Sequence, residues 1–181
     1  SKVTKNFKIK TIKFYRKDLR WQVKDNIEIN LQDNVFIKPY RRGKYILIPT
    51  NKDNILLIHL GMSGQIRIKN KTDTILKHDH MRMSVDNHNK YFVITYNDPR
   101  RFGYIDLFHK KKLKDHFLLA KIGVEPLGNE LTVEYLYNIF KKRSKNIKNA
   151  LMDQQIIAGI GNIYASEILY KAKINPFRNV N

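Results

Sequence analysis

The 181-residue sequence contains no cysteine, which excludes disulfides, Cys-ligated zinc and thiol catalysis within these residues. It also lacks a long apolar run, because the longest nearly apolar stretch, residues 55–62, is interrupted by His59 and is far too short to span a bilayer. Residues 1–5 carry basic side chains with no apolar segment behind them, so we expect no signal peptide. The remaining composition is typical of a soluble globular protein of one or two domains.

Acidic residues are also scarce, with 16 Asp plus Glu against 35 Lys plus Arg and a formal net charge of +19. A surplus of this size makes a polyanion the leading expectation for a partner. Two alternatives stay open, namely attraction to a membrane surface and solubility alone. Of the 35 basic side chains 25 are Lys, and the chain is also rich in Asn and Ile, as an AT-rich coding sequence would produce. The charge by itself favours nucleic acid over both.

The first two thirds of the chain has the pattern of short strands. Residues 7–10 and 12–14 alternate apolar with basic side chains, and Thr11 shifts the phase as a bulge does. A hairpin-like turn at residues 51–54 separates two apolar runs. Further strands are predicted at 65–69, 81–85, 91–96 and 103–108. Strands at this spacing predict an antiparallel sandwich or barrel.

Near residue 112 the apolar period changes to that of helices. Thr132 is a candidate N-cap for a helix that follows it, a second helix is predicted from Asn146, and a third from Asn162. We therefore predict an α+β protein with a β-rich domain at residues 1–112 and a small helical domain at 113–181.

Two loops between predicted strands combine apolar and basic side chains. In DPRRFG, residues 98–103, an exposed Arg-Arg-Phe would supply hydrogen-bond donors and an apolar wedge, which an enzyme needs to unstack a base. In HLGMSG, residues 59–64, two glycines bracket Met62. The alternative for both Phe102 and Met62 is ordinary packing in the core.

The glycine-rich turn AGIGN, residues 158–162, joins two predicted helices. An Asn cap at its end would leave helix N–H groups facing outward for a phosphate, and Arg143, Lys145 and Lys148 lie just upstream with no acid among residues 143–148. The alternative is an ordinary link between helices. The turn is not a dinucleotide fingerprint, because Tyr164 stands in place of the third glycine and a helix precedes it.

The remaining candidates are less specific. His78 and His80 have the i, i+2 spacing of two metal ligands on one strand face, but no third ligand is evident, so phosphate contact or surface exposure fits better. Nothing in the pattern distinguishes Lys44 from the other lysines. No Ser/His/Asp set and no pair of carboxylates can be identified.

Six segments taken together resemble the bacterial formamidopyrimidine-DNA glycosylase family, and the resemblance runs along the whole chain. They are RRGKY at 41–45, HLGMSG at 59–64, KHDH at 77–80, DPRRFG at 98–103, GVEPL at 123–127 and AGIGNIYASE at 158–167. The resemblance implies a β-sandwich joined to a helix–two-turn–helix domain, here truncated, with DNA in the cleft between them. It implies excision of oxidised purines, chiefly 8-oxoguanine and formamidopyrimidines, followed by β- and δ-elimination at the abasic site.

The same resemblance implies roles for individual residues. Lys44 is similar to the lysine that donates a proton in β-elimination, while Met62, Arg100 and Phe102 are similar to the trio that fills the gap left by the everted base. Arg100 would face the orphaned cytosine. The DNA-contacting positions that the resemblance implies are His78, Arg100, Arg143, Lys148 and Asn162, with His59 as a weaker candidate.

The sequence departs from the family pattern in two respects. Family members begin with Pro-Glu, whose amine forms the Schiff base and whose carboxylate acts as an acid, and these 181 residues contain no such pair. The Cys-ligated zinc ribbon is also absent, so no cofactor is expected within this chain and one zinc is expected in the full-length protein. We therefore expect an internal piece of the enzyme that binds DNA and is inactive alone, since an imine needs its nucleophile.

Two other functions remain as alternatives. One is a non-catalytic helix–two-turn–helix nucleic-acid-binding protein, and the other is an endonuclease VIII-like glycosylase for oxidised pyrimidines. The expected partner is double-stranded DNA with oxidised purine lesions. We expect a monomer with no membrane association, in the bacterial cytoplasm near the nucleoid.

Overall fold

The computed structural model describes residues 6–71, 73–87 and 89–181, which fold as two compact units. One unit takes the chain up to residue 41 and residues 45–113, and it is called the sheet unit. The other takes residues 42–44 and 114–181, and it is called the helical unit. The α+β class predicted from the sequence is confirmed, because two antiparallel sheets are followed by a set of short helices.

Before the helical unit, the described residues form the 3₁₀ helix Lys110–Lys112 and, ahead of it, eight strands and one short α-helix. In chain order they are β1 (Lys8–Phe14), α1 (Ile27–Leu31), β2 (Tyr40–Arg42), β3 (Tyr45–Pro49), β4 (Asn54–His59), β5 (Gln65–Lys69), β6 (Asp79–Asp86), β7 (Tyr91–Asn97) and β8 (Tyr104–His109). One sheet has the strand order β1-β6-β7-β5, and the other has the order β2-β3-β4-β8. The connections β4 to β5 and β7 to β8 therefore each cross from one sheet to the other.

The two sheets share one hydrophobic core. Ile9, Met83 and Ile94 from the first sheet belong to the same buried cluster as Leu56 and Ile105 from the second. Outward-facing polar residues alternate with buried ones along β1, as a sheet with one wet face requires. The predicted sandwich is thus confirmed, with apolar side chains of both sheets packed between them.

Two local predictions in the sheet unit, a β-bulge and a hairpin turn, agree with the structure. The pairing of β1 with β6 shifts register between Ile9 and Thr11, where the sequence predicted a bulge. The turn at residues 51–54 closes the β3–β4 hairpin, in which the Thr50 N–H donates to the Asn54 carbonyl at 2.8 Å. Asp53 adopts a positive φ of 54° there, a conformation that Asp tolerates better than most residues.

The helical unit contains three helices around its own apolar cluster. They are α2 (Val133–Phe140), α3 (Ile147–Met152) and α4 (Asn162–Lys171). The cap predicted at Thr132 is confirmed, since its hydroxyl accepts from the Tyr135 N–H. The helix predicted from Asn146 begins one residue later, and the Asn146 side chain caps it by accepting from the Asn149 N–H. Buried Leu151, Ile156 and Leu169 belong to the cluster that holds the unit together.

The cap predicted at Asn162 is wrong by one residue. Gly161 is the N-cap of α4 and carries no side-chain cap bond, and Asn162 is the first helical residue with an exposed side chain. Gly161 has the extended backbone of an N-cap residue, and glycine is tolerated at this position without a side-chain hydrogen bond. In the described part of the chain, no helix has the length and apolar character that crossing a membrane requires.

Candidate nucleic-acid interface

The loop between β4 and β5 projects Met62 into solvent. The loop turns at Gly61, whose φ is +63°, and closes with a 2.9 Å hydrogen bond from the Gly64 N–H to the Leu60 carbonyl. Met62 is 73% exposed, so the core-packing alternative for this side chain is wrong. An unbranched apolar side chain held out on a tight turn is suited to enter an apolar space on a partner. We call residues 60–64 the Met62 loop.

The loop between β7 and β8 presents Arg100 and Phe102. Phe102 is 45% exposed, which again contradicts core packing, and the Arg100 guanidinium lies 4.8 Å from the centre of its ring. Arg101 between them has a positive φ of 57°, and its guanidinium pairs with Asp18. The strained backbone at Arg101 turns its two neighbours outward. We call residues 98–103 the Arg100 loop.

These two loops touch through their backbones. A Cβ atom added to Gly61 would lie 2.5 Å from the carbonyl carbon of Phe102 and 2.7 Å from the nitrogen of Gly103. Only glycine allows this approach. The exposed Met62 and Phe102 side chains therefore rise from adjoining backbone.

Beside the Arg100 loop lies a recess of about 690 Å³. Its lining combines three guanidinium groups with one acid, and the residues are Asp18, Leu19, Arg20, Arg100, Arg101 and Phe102. The Arg20 guanidinium lies 4.8 Å from the centre of the Trp21 ring, as the Arg100 group does on Phe102. Cations seated on aromatic rings give this surface the chemistry that recognises bases and phosphates.

The three histidines singled out in the sequence have different environments. His80 is buried, and its Nε2 lies 2.7 Å from the Asp98 carbonyl oxygen, so surface exposure is wrong for this residue. His78 is half-buried, with its ring centre 6.4 Å from that of His80. His59 is half-buried against the Tyr45 ring, and its Nδ1 accepts from the Gly61 N–H at 3.2 Å. Of these three, His59 is tied directly to the base of the Met62 loop.

Lys44 belongs to the helical unit, where its ammonium reaches the glycine-rich turn. Nζ donates to the Ile160 carbonyl at 3.2 Å. The side chain as a whole is exposed, but partial burial of its ammonium end lowers the pKa of Lys44 below the ordinary 10.5. An ammonium with a lowered pKa gives up its proton more readily, which suits a general acid.

The glycine-rich turn itself is held by Gln154. Its amide nitrogen donates to the Ile160 carbonyl at 2.7 Å, and its amide oxygen accepts from the Gly159 N–H at 2.9 Å. Gly159 has a positive φ of 80°. It packs against the backbone of Gly43, which would lie 3.5 Å from a Cβ atom added to Gly159. The neighbouring Arg42 bonds Glu125 and the carbonyls of Ile122 and Gly123, which anchors residues 42–44 in this unit.

The Lys and Arg side chains upstream of the glycine-rich turn are held by contacts that their sequence did not indicate. Arg143 and Lys145 both form ion pairs with the Asp153 carboxylate, each at 3.1 Å. Burial would raise the pKa of Asp153, but the hydrogen bonds from the Gln155 N–H and Lys145 outweigh it, so the pKa is lowered. Lys148 is half-buried beside the C-terminal part of α4, in a recess that also includes Tyr170 and Pro176.

The described residues do not assemble a metal site. Across residues 6–71, 73–87 and 89–181, no three His, Cys, Asp or Glu side chains come together as metal ligands. The zinc implied by the resemblance needs thiolates, and the sequence has none. These residues therefore do not fit that ion.

Sequence reasoning missed the acids that hold these loops. The pattern at residues 98–103 points to Arg100 and Phe102 and gives no role to Asp98, and no pattern in the sequence marks Asp153. Asp98 is fully buried and receives hydrogen bonds from Ser63, Tyr96 and Gly103. In a chain with so few acids, an Asp next to a cationic segment is a signal that its carboxylate holds that segment in place.

The described residues thus form a β-sandwich unit with an apolar and cationic loop pair and a helical unit whose glycine-rich turn is contacted by Lys44, and exposed surfaces of this kind are typical of nucleic-acid-binding proteins. Two family models match this chain: the formamidopyrimidine-DNA glycosylase N-terminal domain matches residues 1–105, and the formamidopyrimidine-DNA glycosylase H2TH domain matches residues 122–181. The chain belongs to the formamidopyrimidine-DNA glycosylase family.

Curated relatives and solved structures agree with the family. The chain is 42% identical over 171 residues to formamidopyrimidine-DNA glycosylase of Ruegeria sp. (strain TM1040), covering 90% of this chain and 59% of that protein. It is 38% identical over 168 residues to that of Rickettsia bellii, covering 93% and 60%. The chain thus spans about three fifths of the length of these relatives.

Among solved structures, the chain is similar to Lactococcus lactis formamidopyrimidine-DNA glycosylase bound non-covalently to DNA containing an AP site. The TM-score is 0.88 at 30% identity, with 99% of this chain and 67% of that chain covered. A MutM structure in complex with DNA containing carbocyclic 8-oxo-G gives a TM-score of 0.89 at 30% identity, with 99% and 66% covered.

Proposed function

We propose that this chain carries most of the DNA-binding surface of a glycosylase and AP lyase that removes oxidised purines from duplex DNA. The observation that carries the proposal is the pair of adjoining loops with exposed Met62, Arg100 and Phe102, in a chain of the formamidopyrimidine-DNA glycosylase family. The similar MutM structure holds DNA with an 8-oxoguanine analogue, which supports the same lesion class here.

In this proposal the loop pair fills the duplex where a damaged base has left the stack. Met62 and Phe102 supply apolar surface at the gap, and a base removed from the stack leaves a space of that kind. The Arg100 guanidinium supplies donors for the base left without its partner, which in a lesion of guanine is cytosine. Its seat on the Phe102 ring restricts the guanidinium before DNA arrives.

The helical unit holds the phosphate backbone in this proposal. Arg143 and Lys148 supply positive charge, Asn162 supplies a side-chain amide at the start of α4, and the backbone N–H groups of that first turn face the same end. His78, and more weakly His59, are assigned to backbone contacts in the sheet unit. Such contacts fix the register of the protein on DNA without reading sequence.

Lys44 is proposed as the proton donor during β-elimination. Its lowered pKa supports the role, because partial burial makes the ammonium a stronger acid. The Ile160 carbonyl at 3.2 Å restricts the ammonium to the glycine-rich turn. Lys44 is assigned this step alone, and the amine that forms the imine is assigned to the family's proline.

We propose that these 181 residues bind damaged DNA without excising the base. Their five prolines are at positions 39, 49, 99, 126 and 176, none is followed by Glu, and an internal proline nitrogen is an amide with no nucleophilic lone pair. Borohydride trapping on a duplex with 8-oxoguanine opposite cytosine should give no covalent adduct. An adduct would refute this assignment and would direct attention to Lys44 as the amine.

Binding is tested with duplexes that contain 8-oxoguanine or an abasic analogue opposite each of the four bases. The wild-type chain should prefer the damaged duplexes to an undamaged one, and Arg100→Ala should reduce discrimination for the opposite base. Lys13→Ala is the matched control, because Lys13 is an exposed cation of the same unit seated 5.5 Å from the Tyr15 ring centre. Equal loss on every duplex from Arg100→Ala contradicts its assigned role.

An activity on oxidised pyrimidines is the second candidate. A similar Lactococcus lactis structure holds DNA containing an oxidized pyrimidine, with a TM-score of 0.89. The binding series therefore includes a duplex with an oxidised pyrimidine. Tighter binding to that duplex than to 8-oxoguanine opposite cytosine would favour the second candidate.

A further inference from the structure

One buried carboxylate, that of Asp98, connects the Met62 loop to the Arg100 loop. Asp98 is 0% exposed. Its Oδ1 accepts from the Ser63 hydroxyl at 2.6 Å, and its Oδ2 accepts from the Gly103 N–H at 2.8 Å and the Tyr96 hydroxyl at 3.0 Å. Ser63 adjoins Met62, while Gly103 adjoins Phe102, so the two oxygens of one carboxylate hold both loops.

The hydroxyl of Ser63 makes a second connection between the loops. Its oxygen accepts from the backbone N–H of Arg100 at 3.2 Å while its proton goes to Asp98. The loop that presents Met62 is therefore bonded to the backbone of the residue that presents the guanidinium. We call Ser63, Tyr96 and Asp98 the loop clamp.

The clamp acts on two segments that have separate origins in the fold. The Met62 loop runs from β4 to β5 and the Arg100 loop from β7 to β8, each crossing from one sheet to the other. Ser63 and Asp98 are 35 positions apart in the sequence. Their hydrogen bond is thus a long-range link, and local turn chemistry alone does not supply it.

The electrostatics of Asp98 make the link strong. Across the described residues no Lys or Arg forms an ion pair with Asp98, so its charge depends on hydrogen-bond donors. Burial would raise the pKa of Asp98, but the bonds from Ser63, Gly103 and Tyr96 outweigh it and lower the pKa. Separating the loops would leave a buried carboxylate short of donors, which is costly.

We propose that Ser63, Tyr96 and Asp98 are positioning residues that make Met62, Arg100 and Phe102 enter a damaged duplex as one wedge. The inference rests on the proposed function of these three side chains. With the clamp intact, the two loops are ordered before binding, so less conformational freedom is lost at the gap. Without it, each loop must be ordered separately on the DNA.

The test measures insertion directly, with 2-aminopurine next to an abasic analogue opposite cytosine. The fluorescence of 2-aminopurine rises when its stacking is broken, so the wild-type 181-residue chain should increase it on binding. Ser63→Ala should lower the affinity for this duplex about tenfold and reduce the fluorescence gain, because it removes one hydrogen bond to a charged group. Binding to an undamaged duplex should change by less than about twofold, since that binding depends on phosphate contacts.

Two further variants define the role of the hydroxyl groups. Tyr96→Phe removes the second hydroxyl donor and should act in the same direction as Ser63→Ala. Ser63→Thr keeps the hydroxyl and should restore the wild-type fluorescence gain. Ser84→Ala is the matched control, because it removes a hydrogen bond of the same 2.6 Å length, to Thr11, within the β1–β6 pair.

The outcomes separate the clamp from the proposed function. Wild-type fluorescence gain and selectivity in both Ser63→Ala and Tyr96→Phe would overturn the clamp alone. An equal loss in Ser84→Ala would also overturn it, since the effect would then reflect general stability. A wild-type chain that neither prefers the abasic duplex nor raises the fluorescence would overturn the proposed function, and the clamp with it, before any variant is compared.

Discussion

Replacing Gly61 by alanine should damage the sheet unit through two separable costs. The first is backbone strain, because φ is +63° at this residue and a side chain in that region costs about 1–2 kcal/mol. The second is overpacking, because the new Cβ would lie 2.5 Å from the Phe102 carbonyl carbon and 2.6 Å from its oxygen. Backbone atoms cannot swing aside as a flexible side chain can, so we add about 1–3 kcal/mol. The expected loss of unfolding free energy is about 2–5 kcal/mol.

Trp21 makes this loss measurable in the sheet unit alone. It is the single Trp of the chain, and its ring centre lies 5.0 Å from that of Tyr104 in the same unit. Its fluorescence during urea unfolding therefore reports the sheet unit. With a slope of about 1–3 kcal/mol per molar urea, a loss of about 3 kcal/mol lowers the midpoint by about 1 M or more.

Asp53→Ala is the matched control for the Gly61 variant. It also places alanine at a positive φ, 54°, in the same unit, but this position already accommodates a Cβ. Its expected cost is below about 1 kcal/mol, because aspartate already occupies the strained region and only its better tolerance of that region is lost. If Gly61→Ala is no less stable than Asp53→Ala, the close backbone contact between the two loops does not constrain the sheet unit.

Three further predictions concern the helical unit. Thr132→Ala should lower its unfolding free energy by about 1 kcal/mol, measured by far-ultraviolet circular dichroism, whereas Thr132→Ser should not, because serine keeps the cap bond to Tyr135. Arg143→Ala or Lys148→Ala should each weaken binding to any duplex and reduce the salt slope by about one unit, and Asp153→Asn, which releases Arg143, should strengthen binding. An NMR titration should place the pKa of Lys44 below 10.5, because burial disfavours its charged form. The unfolded chain then holds this proton more tightly than the folded one, so the contribution of Lys44 to stability should rise as the pH rises from that lowered pKa toward 10.5.

The sequence predicted elements whose pattern is local. The alternation in β1, its bulge and the cap at Thr132 each depend on neighbouring residues, and each has its own chemical signature. The strand β2 and the helix α1 were not predicted, because neither has a distinctive sequence pattern. The strand β2 has three residues with no buried side chain, and the five-residue α1 is too short to be stable alone, so packing of Ile27 and Leu31 in the core holds it.

In the candidate site, too, local features were predicted and long-range contacts were not. Motif spacing identified Met62 and Phe102 but left their exposure undecided, since a core position and a projecting one have the same residue type. Exposure depends on where the loops lie on the folded sheets. The connection from Ser63 to Asp98 spans 35 positions and leaves no periodic pattern. The pairing of Asp153 with Arg143 was missed for the same reason, because it depends on how the chain returns after α3.

The few acids therefore have an organising role that a net charge of +19 conceals. Crowded cations repel one another, and a segment that carries them needs nearby negative charge to hold one conformation. Asp98 supplies that charge under the Arg100 loop, Asp153 beside Arg143, and Glu125 beside Arg42. Losing a Lys or Arg that contacts phosphate should therefore reduce affinity for all duplexes. Arg100 is the exception, because it is assigned to the nucleobase opposite the lesion. Losing Asp98 should instead loosen both loops and change which duplexes are preferred, because the Arg100 guanidinium remains but its position is no longer fixed, whereas losing Asp153 frees Arg143 and strengthens binding.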